Sequence, residues 1–382
     1  MSTIKVSNLQ NASAASPAIV LDANSRATLN GLSYPTEGSL SGRNRVINGS
    51  MTVDQRNAGA SVTYGSAAVG VDRFVLEKVN LSTLVATLQQ VSDGPAGFDK
   101  SIKTTITTAQ ASAPNSSMVG CDQRIEGFNW ADMAFGTASA KTFTMSFWVK
   151  SSVIGTYPVS FFNAAVNRAY LATYSISSAN TWEYKTITIP GDTSGTWNTT
   201  NGIGLGFQML LGGGTDSNGT AGSWGSTYKG RTSACVDLNA TLNATWQVTG
   251  IQIEAGSVAT PFERRSYGQE LALCQRYYYF IGNDGTNAAI GSGFTTGTTG
   301  FVYGALPVEM RTAPTISYTG TLSDLNFTHT GVSAAANSLT NQGTGRKSYA
   351  ISLGSATGTT NLAGIYARVT SASTALTFSA EL

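Results

Sequence analysis

The sequence predicts an all-β protein, with antiparallel β-sandwich or jelly-roll domains in tandem behind a short extended N-terminal segment. The first observation is composition: charged residues make up 12% of the chain, against roughly 25% in an average soluble domain, and there are 42 glycines. The second is that short stretches of alternating apolar and polar residues recur, with clusters of glycine, proline and aspartate between them. This pattern is typical of short strands joined by tight turns.

The first sandwich is predicted over residues 43–265. A period of two puts apolar side chains on one face of a strand and polar side chains on the other, which fits strands with one buried face. The segment 202–206 reads G-I-G-L-G and indicates a strand with one small-residue face, against which another element packs closely. The clearest alternating strands are 72–77, 101–107, 143–150, 182–189 and 245–253.

The remaining chain divides into three predicted parts. Residues 266–280 are interpreted as a hinge with a short helix, because Leu271 and Cys274 are spaced to face one side of a helical turn. Residues 281–382 are predicted to form a C-terminal β-sandwich. Residues 1–42 hold too few apolar side chains for a core, so we expect them to be ordered only against a partner such as a symmetric copy. The alternative is a floppy leader.

Residues 250–280 carry the densest cluster of charge and aromatic rings, GIQIEAGSVATPFERRSYGQELALCQRYYYF. This order resembles one found in tail-fibre and related host-recognition proteins of tailed bacteriophages. The segment N-R-V-I-N-G-S-M at 44–51 is similar to the opening of the same region, and 376–382 is similar to the final strand of such fibres. The resemblance implies a sandwich like that of a carbohydrate-binding module, followed by a distal domain that is the candidate receptor-binding tip.

The same resemblance implies the partners. We expect a homotrimer that attaches through residues 1–42 to the phage tail or to an adaptor or nozzle protein, and that binds host surface polysaccharide or lipopolysaccharide without a cofactor. The start of the chain lacks the apolar core of a secretory signal, which fits a virion component made in the host cytoplasm. Net charge is +2 and no apolar run approaches the roughly 20 residues of a membrane helix, so neither nucleic-acid binding nor membrane insertion is expected.

Tryptophans supply the candidate glycan site, because sugars present apolar C–H faces that stack on aromatic rings. Trp148 and Trp246 lie within alternating strands and are interpreted as core, whereas Trp182 at a strand start is left open. Two tryptophans lie in glycine-rich loops; the alternative is that they plug the end of the sandwich. The candidate glycan-binding residues are Trp197, Trp224, Tyr228 and Asp216.

A joint between the two β-rich domains is the second candidate site. Arg264 and Arg265 follow a direction-fixing proline and are suited to clamp carboxylates or carbonyls of either domain. The triplet Tyr277, Tyr278 and Tyr279 is predicted either to pack on a three-fold axis or to fill the base of the second sandwich.

Catalytic and metal patterns are weak in this sequence. Asp122, Glu126 and Asp132 could supply the two carboxylates of a glycan hydrolase, but nothing in their spacing pairs them. The one histidine, His329, has no serine elbow or acid partner in the sequence. The cysteines, Cys121, Cys235 and Cys274, are widely spaced and are interpreted as buried thiols, although one disulfide is arithmetically possible.

The leading hypothesis is therefore a non-enzymatic tail-fibre subunit that adsorbs to bacterial surface glycans. One alternative is a fibre or decoration protein on the capsid, and another, of a different class, is a glycan depolymerase.

Overall fold

A computed structural model describes residues 42–63, 67–282, 287–329, 332–356 and 363–382, together with four short strands nearer the N-terminus. The strands named below pair antiparallel throughout, which confirms the predicted all-β class. The chain divides into two compact units, Met1–Arg265 and Ser266–Leu382. Among the described residues, no helix is long and apolar enough to cross a membrane.

The N-terminal strands form a four-stranded antiparallel sheet in the order β1-β2-β3-β4. They are β1 (Asn8–Leu9), β2 (Ile19–Leu21), β3 (Ala27–Leu29) and β4 (Leu32–Ser33). The rest of residues 1–41 lies outside the described residues, so the predicted attachment and trimerisation segment stays a prediction.

Two larger sheets make up the rest of the first unit. The seven-stranded sheet has the order β16-β13-β12-β15-β10-β7-β6, and the six-stranded sheet has the order β14-β11-β17-β9-β8-β5. The strands are β5 (Val62–Thr63), β6 (Ala67–Val71), β7 (Phe74–Val79), β8 (Val85–Val91), β9 (Ser101–Thr108), β10 (Met118–Glu126), β11 (Phe143–Ser151), β12 (Gly155–Phe162), β13 (Ala169–Ile176), β14 (Glu183–Ile189), β15 (Ile203–Gly213), β16 (Trp224–Gly225) and β17 (Thr245–Ala255).

Aromatic side chains join these two sheets face to face. The Phe143 ring of β11 lies 5.1 Å from the Phe161 ring of β12, edge on. The Trp246 Nε1 of β17 donates a hydrogen bond of 3.2 Å to the Tyr174 hydroxyl of β13. In each of these two contacts, one strand belongs to the six-stranded sheet and the other to the seven-stranded sheet. Trp246 is fully buried. The unit is thus a β-sandwich whose core contains Trp246, as the sequence predicted.

Close packing explains the glycines of β15. A side-chain carbon on Gly204 would lie 2.7 Å from the Cα of Gly127, and one on Gly206 would lie 2.3 Å from the Phe162 ring. The predicted small-residue face is therefore the place where a loop and a ring of the same unit press on this strand.

The two motifs near 44–51 and 250–265 meet in space, although about two hundred residues separate them. The Asn44 side chain accepts from Val46 N (3.0 Å) and Ile253 N (3.2 Å), and it donates to Ile251 O (3.1 Å). The Glu263 carboxylate accepts from Asn44 N at 2.7 Å. We call residues 256–265 the strap, because they lie along the outward side chains of β17: Thr260 N donates to Glu254 (2.8 Å), and Glu263 N donates to Gln252 (2.8 Å).

The second unit departs from the predicted sandwich. Six of its strands close into a barrel in the order β19-β20-β24-β23-β22-β25, and three others form a separate sheet in the order β18-β26-β21. A closed barrel encloses its own apolar face, so it needs no second facing sheet. The strands are β18 (Tyr278–Gly282), β19 (Ala288–Thr295), β20 (Thr299–Ala305), β21 (Thr315–Thr319), β22 (Leu325–His329), β23 (Val332–Thr344), β24 (Ser348–Ser355), β25 (Gly364–Val369) and β26 (Ala375–Ser379).

A single α-helix among the described residues, α1 (Tyr267–Gln275), opens the second unit. Ser266 caps it, because the Ser266 side chain accepts a hydrogen bond from Gln269 N. The cap sets the start of the helix at Tyr267, within the predicted range 266–280. Cys274 is fully buried, and Cys121 and Cys235 are also buried.

Candidate functional site

The outer face of the six-stranded sheet carries an aromatic pair. Along β11, Met145, Phe147 and Val149 are fully buried in the core, so the intervening Trp148 points to the other side of the sheet and is half-buried there. Trp148 is the register partner of Tyr184 on edge strand β14, and the two rings lie 5.2 Å apart. The interpretation of Trp148 as a core residue was therefore wrong. It considered that Trp148 lies in an alternating strand, but not which face of the sheet the side chain occupies.

Two loops raise walls around this pair and form a pocket of about 360 Å³. Phe98 comes from the turn before β9, and Phe262 comes from the strap; their rings meet edge to face at 5.1 Å. The residues that line the pocket are Phe98, Ser146, Trp148, Tyr184, Gly250, Pro261, Phe262 and Arg264. The pocket thus has an apolar, largely aromatic lining with a few polar groups, the usual make-up of a small-ligand site.

Gly250 keeps the floor of the pocket open. Its φ of +64° lies in the left-handed region, and the pairing of β11 with β17 shifts register between Ser146 and Trp148, next to this glycine. A side-chain carbon on Gly250 would lie 2.8 Å from the Phe98 ring and 3.3 Å from the Trp148 ring. A larger residue would therefore push the wall and the floor apart.

Arg264 supplies the charge of the pocket. Its guanidinium carbon lies 4.8 Å from the centre of the Phe98 ring and 5.8 Å from that of Phe262. Its Nη2 donates a hydrogen bond to Gly97 O. The guanidinium is therefore held in place by two rings and a carbonyl, a geometry that suits the flat Arg side chain.

The polar groups next to the pocket are either neutral or paired with an opposite charge. Burial raises the pKa of Tyr184, which stays a neutral phenol. Beside the pocket, Lys150 Nζ pairs with Asp93 Oδ2 at 2.6 Å and lies 4.9 Å from the centre of the Trp182 ring. The hydrogen bond from Lys150 is the main reason that the pKa of Asp93 is lowered. These groups extend the aromatic surface without adding net charge.

The loop tryptophans predicted to bind glycans are placed differently. Trp197 is 7% exposed, its Nε1 donates to Ser194 O (3.0 Å), and its ring lies 4.9 Å from that of Phe135. Trp224 is half-buried, lies 5.4 Å from Trp197 and donates to Pro190 O (2.7 Å). Both rings pack with Phe135 of the core. This packing fits the alternative that the loop tryptophans plug the end of the sandwich. Trp197 has no exposed ring face to offer a sugar.

Tyr228 and Asp216 do not join these rings in a platform. The Tyr228 hydroxyl donates to Gln208 Oε1 on the seven-stranded sheet, and its ring lies 5.6 Å from Phe162. Burial raises the pKa of Tyr228 well above its ordinary value. Asp216 is exposed, and its backbone carbonyl accepts from Lys229 Nζ at 2.7 Å.

The predicted joint residues have partners inside their own units. Arg265 donates to the carbonyls of Asn44 and Val46, the latter at 3.1 Å, and so fixes the strap to the N-terminal motif. Tyr277 and Tyr278 are buried in the second unit, and Tyr279 stacks on Phe378 at 5.9 Å. Tyr279 thus packs within this unit, while packing of the triplet on a three-fold axis or in the base of the unit, and a role between units, stay predictions.

The carboxylates considered for hydrolysis lie in unlike surroundings. Asp122 is 2% exposed, its Oδ1 has no hydrogen-bond partner among the described residues, and burial raises its pKa to about 7. Glu126 is also buried, whereas Asp132 is exposed and pairs with Arg45 at 2.6 Å. The described structure places none of these three residues in the lining of the aromatic pocket. His329 lies in the other unit, with Nδ1 2.8 Å from Gly364 O.

No protein-family model matches the chain, and no curated protein sequence is significantly similar to it. Among solved structures, it is similar to the enzymatically active domain of tailspike protein 4 of bacteriophage CBA120, with 11% identity and a TM-score of 0.30 over 56% of this chain and 21% of that one. It thus spans about a fifth of the length of that tailspike domain.

Two carbohydrate-binding modules are similar to the chain at the same level. The family 11 module of Clostridium thermocellum, in complex with a mixed-linked tetrasaccharide, has 12% identity and a TM-score of 0.27 over 54% of this chain and 100% of that one. The module TmCBM61, in complex with β-1,4-galactotriose, has 10% identity and a TM-score of 0.25 over 56% of this chain and 99% of that one. TM-scores this low carry no argument about the site or its ligand.

Proposed function

We propose that the first unit binds glycans through the pocket on the outer face of its six-stranded sheet, without breaking a bond. The observation that carries the proposal is the juxtaposition of Trp148 and Tyr184, at 5.2 Å, on the floor of a pocket walled by Phe98 and Phe262. A pyranose ring has one apolar C–H face that stacks on such rings and hydroxyls that need polar partners at its edge.

The pocket meets both needs of a sugar. The rings of Trp148 and Tyr184 offer apolar surface, while the Ser146 and Tyr184 hydroxyls and the Arg264 guanidinium offer hydrogen bonds. Tyr184 is 44% exposed although it is a large aromatic residue on a regular strand. Exposure of a ring beside a preformed pocket is what a binding surface requires and what a folding core avoids.

The biological setting we propose is a virion fibre subunit that adsorbs to bacterial surface polysaccharide or lipopolysaccharide. Support comes from the motifs at 44–51 and 250–280, which resemble those of tailed-bacteriophage fibre proteins. Residues of these motifs build the strap and one wall of the pocket. A single sugar site binds weakly, and several linked copies raise the overall affinity by about 100- to 10,000-fold. A homotrimer attached through residues 1–42 would provide those copies.

The test is binding of the full chain to an array of bacterial surface glycans. We expect Tyr184→Ala to weaken binding to every glycan that the unaltered chain binds. We expect Tyr366→Ala to leave that binding unchanged. Tyr366 is a matched control, because it is 49% exposed against 44% for Tyr184 but lies on β25 of the other unit. Absence of any glycan binding by the unaltered chain, or equal loss in both variants, would reject the pocket. Imaging of labelled particles would separate tail from capsid attachment.

A further inference from the structure

The charge of the aromatic pocket is unbalanced. Of the residues that line it, Arg264 is the one with a basic side chain and none has a carboxylate, while the phenol of Tyr184 stays protonated. Within the described part of the chain, the contacts of Arg264 are the Gly97 carbonyl and the rings of Phe98 and Phe262, with no carboxylate at ion-pair distance. Its side chain therefore presents a positive charge without a counter-ion.

Two carboxylates on the same sheet side as the pocket, Glu254 and Asp93, are already engaged with Arg43 and Lys150 respectively. Glu254 is 1% exposed and accepts from Thr260 N (2.8 Å), Thr260 Oγ1 (2.6 Å) and Gln252 Nε2 (2.8 Å). The Asp93 carboxylate is paired with Lys150. Neither carboxylate is paired with Arg264, so its guanidinium is the charged group that a ligand in the pocket meets.

The position of Arg264 is fixed before a ligand arrives. Two rings and a carbonyl hold its guanidinium, so little side-chain freedom is lost when one more partner binds. A guanidinium binds carboxylates and phosphates through paired hydrogen bonds, and hydrogen bonds to a charged group are roughly twice as strong as neutral ones.

From these observations we infer that the pocket selects sugars that carry an anionic group, a carboxylate as in a uronic acid or a phosphate, with the sugar ring on Trp148 and Tyr184 and the anion on Arg264. This inference rests on the proposed glycan binding and narrows it to one ligand class. A neutral sugar of the same linkage would keep the stacking contacts and lose the charge-assisted bonds.

The experiment compares each acidic glycan on the array with its own neutral form. Uronic-acid polymers are printed beside their carboxyl-reduced forms, and phosphate-bearing polymers beside their phosphate-stripped forms, which separates the two anion sources. We expect the full chain to bind acidic members at least tenfold more tightly than their neutral partners, the equivalent of one charge-assisted hydrogen bond. We also expect the difference to shrink as salt rises, because exposed charges are screened.

Variants assign the preference to one residue. Arg264→Gln should bring acidic and neutral partners to equal affinity, and Arg264→Lys should keep part of the difference, since it keeps the charge but not the planar fork. Arg368→Gln is the matched control, because Arg368 also lies over an aromatic ring, that of Tyr366 at 5.8 Å, but in the other unit. It should leave the preference unchanged.

The outcomes separate the two proposals. Equal binding of acidic and neutral partners by the unaltered chain overturns the anion preference and leaves glycan binding in place, and a preference that survives Arg264→Gln overturns the role of Arg264. Binding to no glycan overturns both. Should Arg264→Gln alter folding, the salt dependence of the unaltered chain still decides: an acidic-over-neutral ratio that does not fall with salt contradicts the inference.

Discussion

Two tryptophans in neighbouring strands of the same sheet should respond to truncation in opposite ways. Trp148 on β11 is half-buried on the outer face, whereas Trp246 on β17 is fully buried between the sheets. Trp148→Ala should reduce glycan affinity and leave the fold intact. Trp246→Ala should reduce the free energy of unfolding and affect binding only through lost folded protein.

The magnitudes follow from the surroundings of each ring. Stacking of a flat ring on an aromatic side chain contributes about 1–3 kcal/mol, by analogy with nucleic-acid bases, so Trp148→Ala should weaken binding by roughly 5- to 150-fold. Removing a fully buried tryptophan leaves a large cavity and costs about 3–5 kcal/mol of stability. The Trp246 change also leaves the Tyr174 hydroxyl without its 3.2 Å indole partner.

Two assays measure the contrast: titration with the glycan that binds best on the array, and urea denaturation of the same preparations. The expected pattern is weak binding with a near-normal unfolding midpoint for Trp148→Ala, and a lowered midpoint for Trp246→Ala. Unchanged affinity in a folded Trp148→Ala protein would remove the outer face from the site. Loss of affinity on Trp224→Ala alone, with its fold intact, would return the site to the loops at the sandwich end.

Three further predictions concern stability and the pocket floor. Asn44→Ala removes three buried hydrogen bonds to backbone groups and should cost about 2–4 kcal/mol in denaturation, while Asn341→Ala, at an exposed position, should stay within about 0.5 kcal/mol. Gly250→Ala should cost about 1–3 kcal/mol and weaken glycan binding, because φ is +64° and the new carbon meets the Phe98 ring; Gly222→Ala, where φ is +100° and nothing lies within 4 Å, should bring strain without a binding loss. Burial raises the pKa of Asp122 from 3.8 to about 7, so the folded state binds a proton more tightly than the unfolded chain, and stability should fall as pH rises from about 4 through about 7. Asp122→Asn should abolish that fall; a fall of the same size in the variant would mean that another group titrates.

Local patterns were sufficient to predict several of the strands of the first unit. Alternation placed strands at 143–150 and 245–253, and β11 and β17 cover both ranges. Closure of the second unit was not predictable in the same way. A strand of a barrel and a strand of a sandwich both bury one face, so alternation is the same in both. What distinguishes them is long-range pairing, such as that of β19 with β25, which no local segment encodes.

The strap shows how a recognisable motif can be structural and functional at once. Arg264 and Arg265 were predicted to join two domains, which stays a prediction. Within the first unit, Glu263 and Arg265 bind backbone groups around Asn44. These bonds hold the strap in place, and the adjacent Phe262 and Arg264 then form a wall of the pocket. The sequence identified Arg264 and Arg265 as candidate site residues. It did not identify the partners of Arg265, which lie about two hundred positions away in the chain.

Part of the pocket could have been predicted from the sequence. The rule that loop tryptophans are exposed and strand tryptophans are buried failed for both Trp197 and Trp148. Alternation carried the correct signal for Trp148: its neighbours Phe147 and Val149 share the parity of the buried residues, so Trp148 has to face the other way. That argument identifies an outward-facing tryptophan beside an outward-facing tyrosine on a neighbouring strand. It could not supply Phe98 and Phe262, because loop walls depend on the path of the chain above the sheet rather than on the period within it.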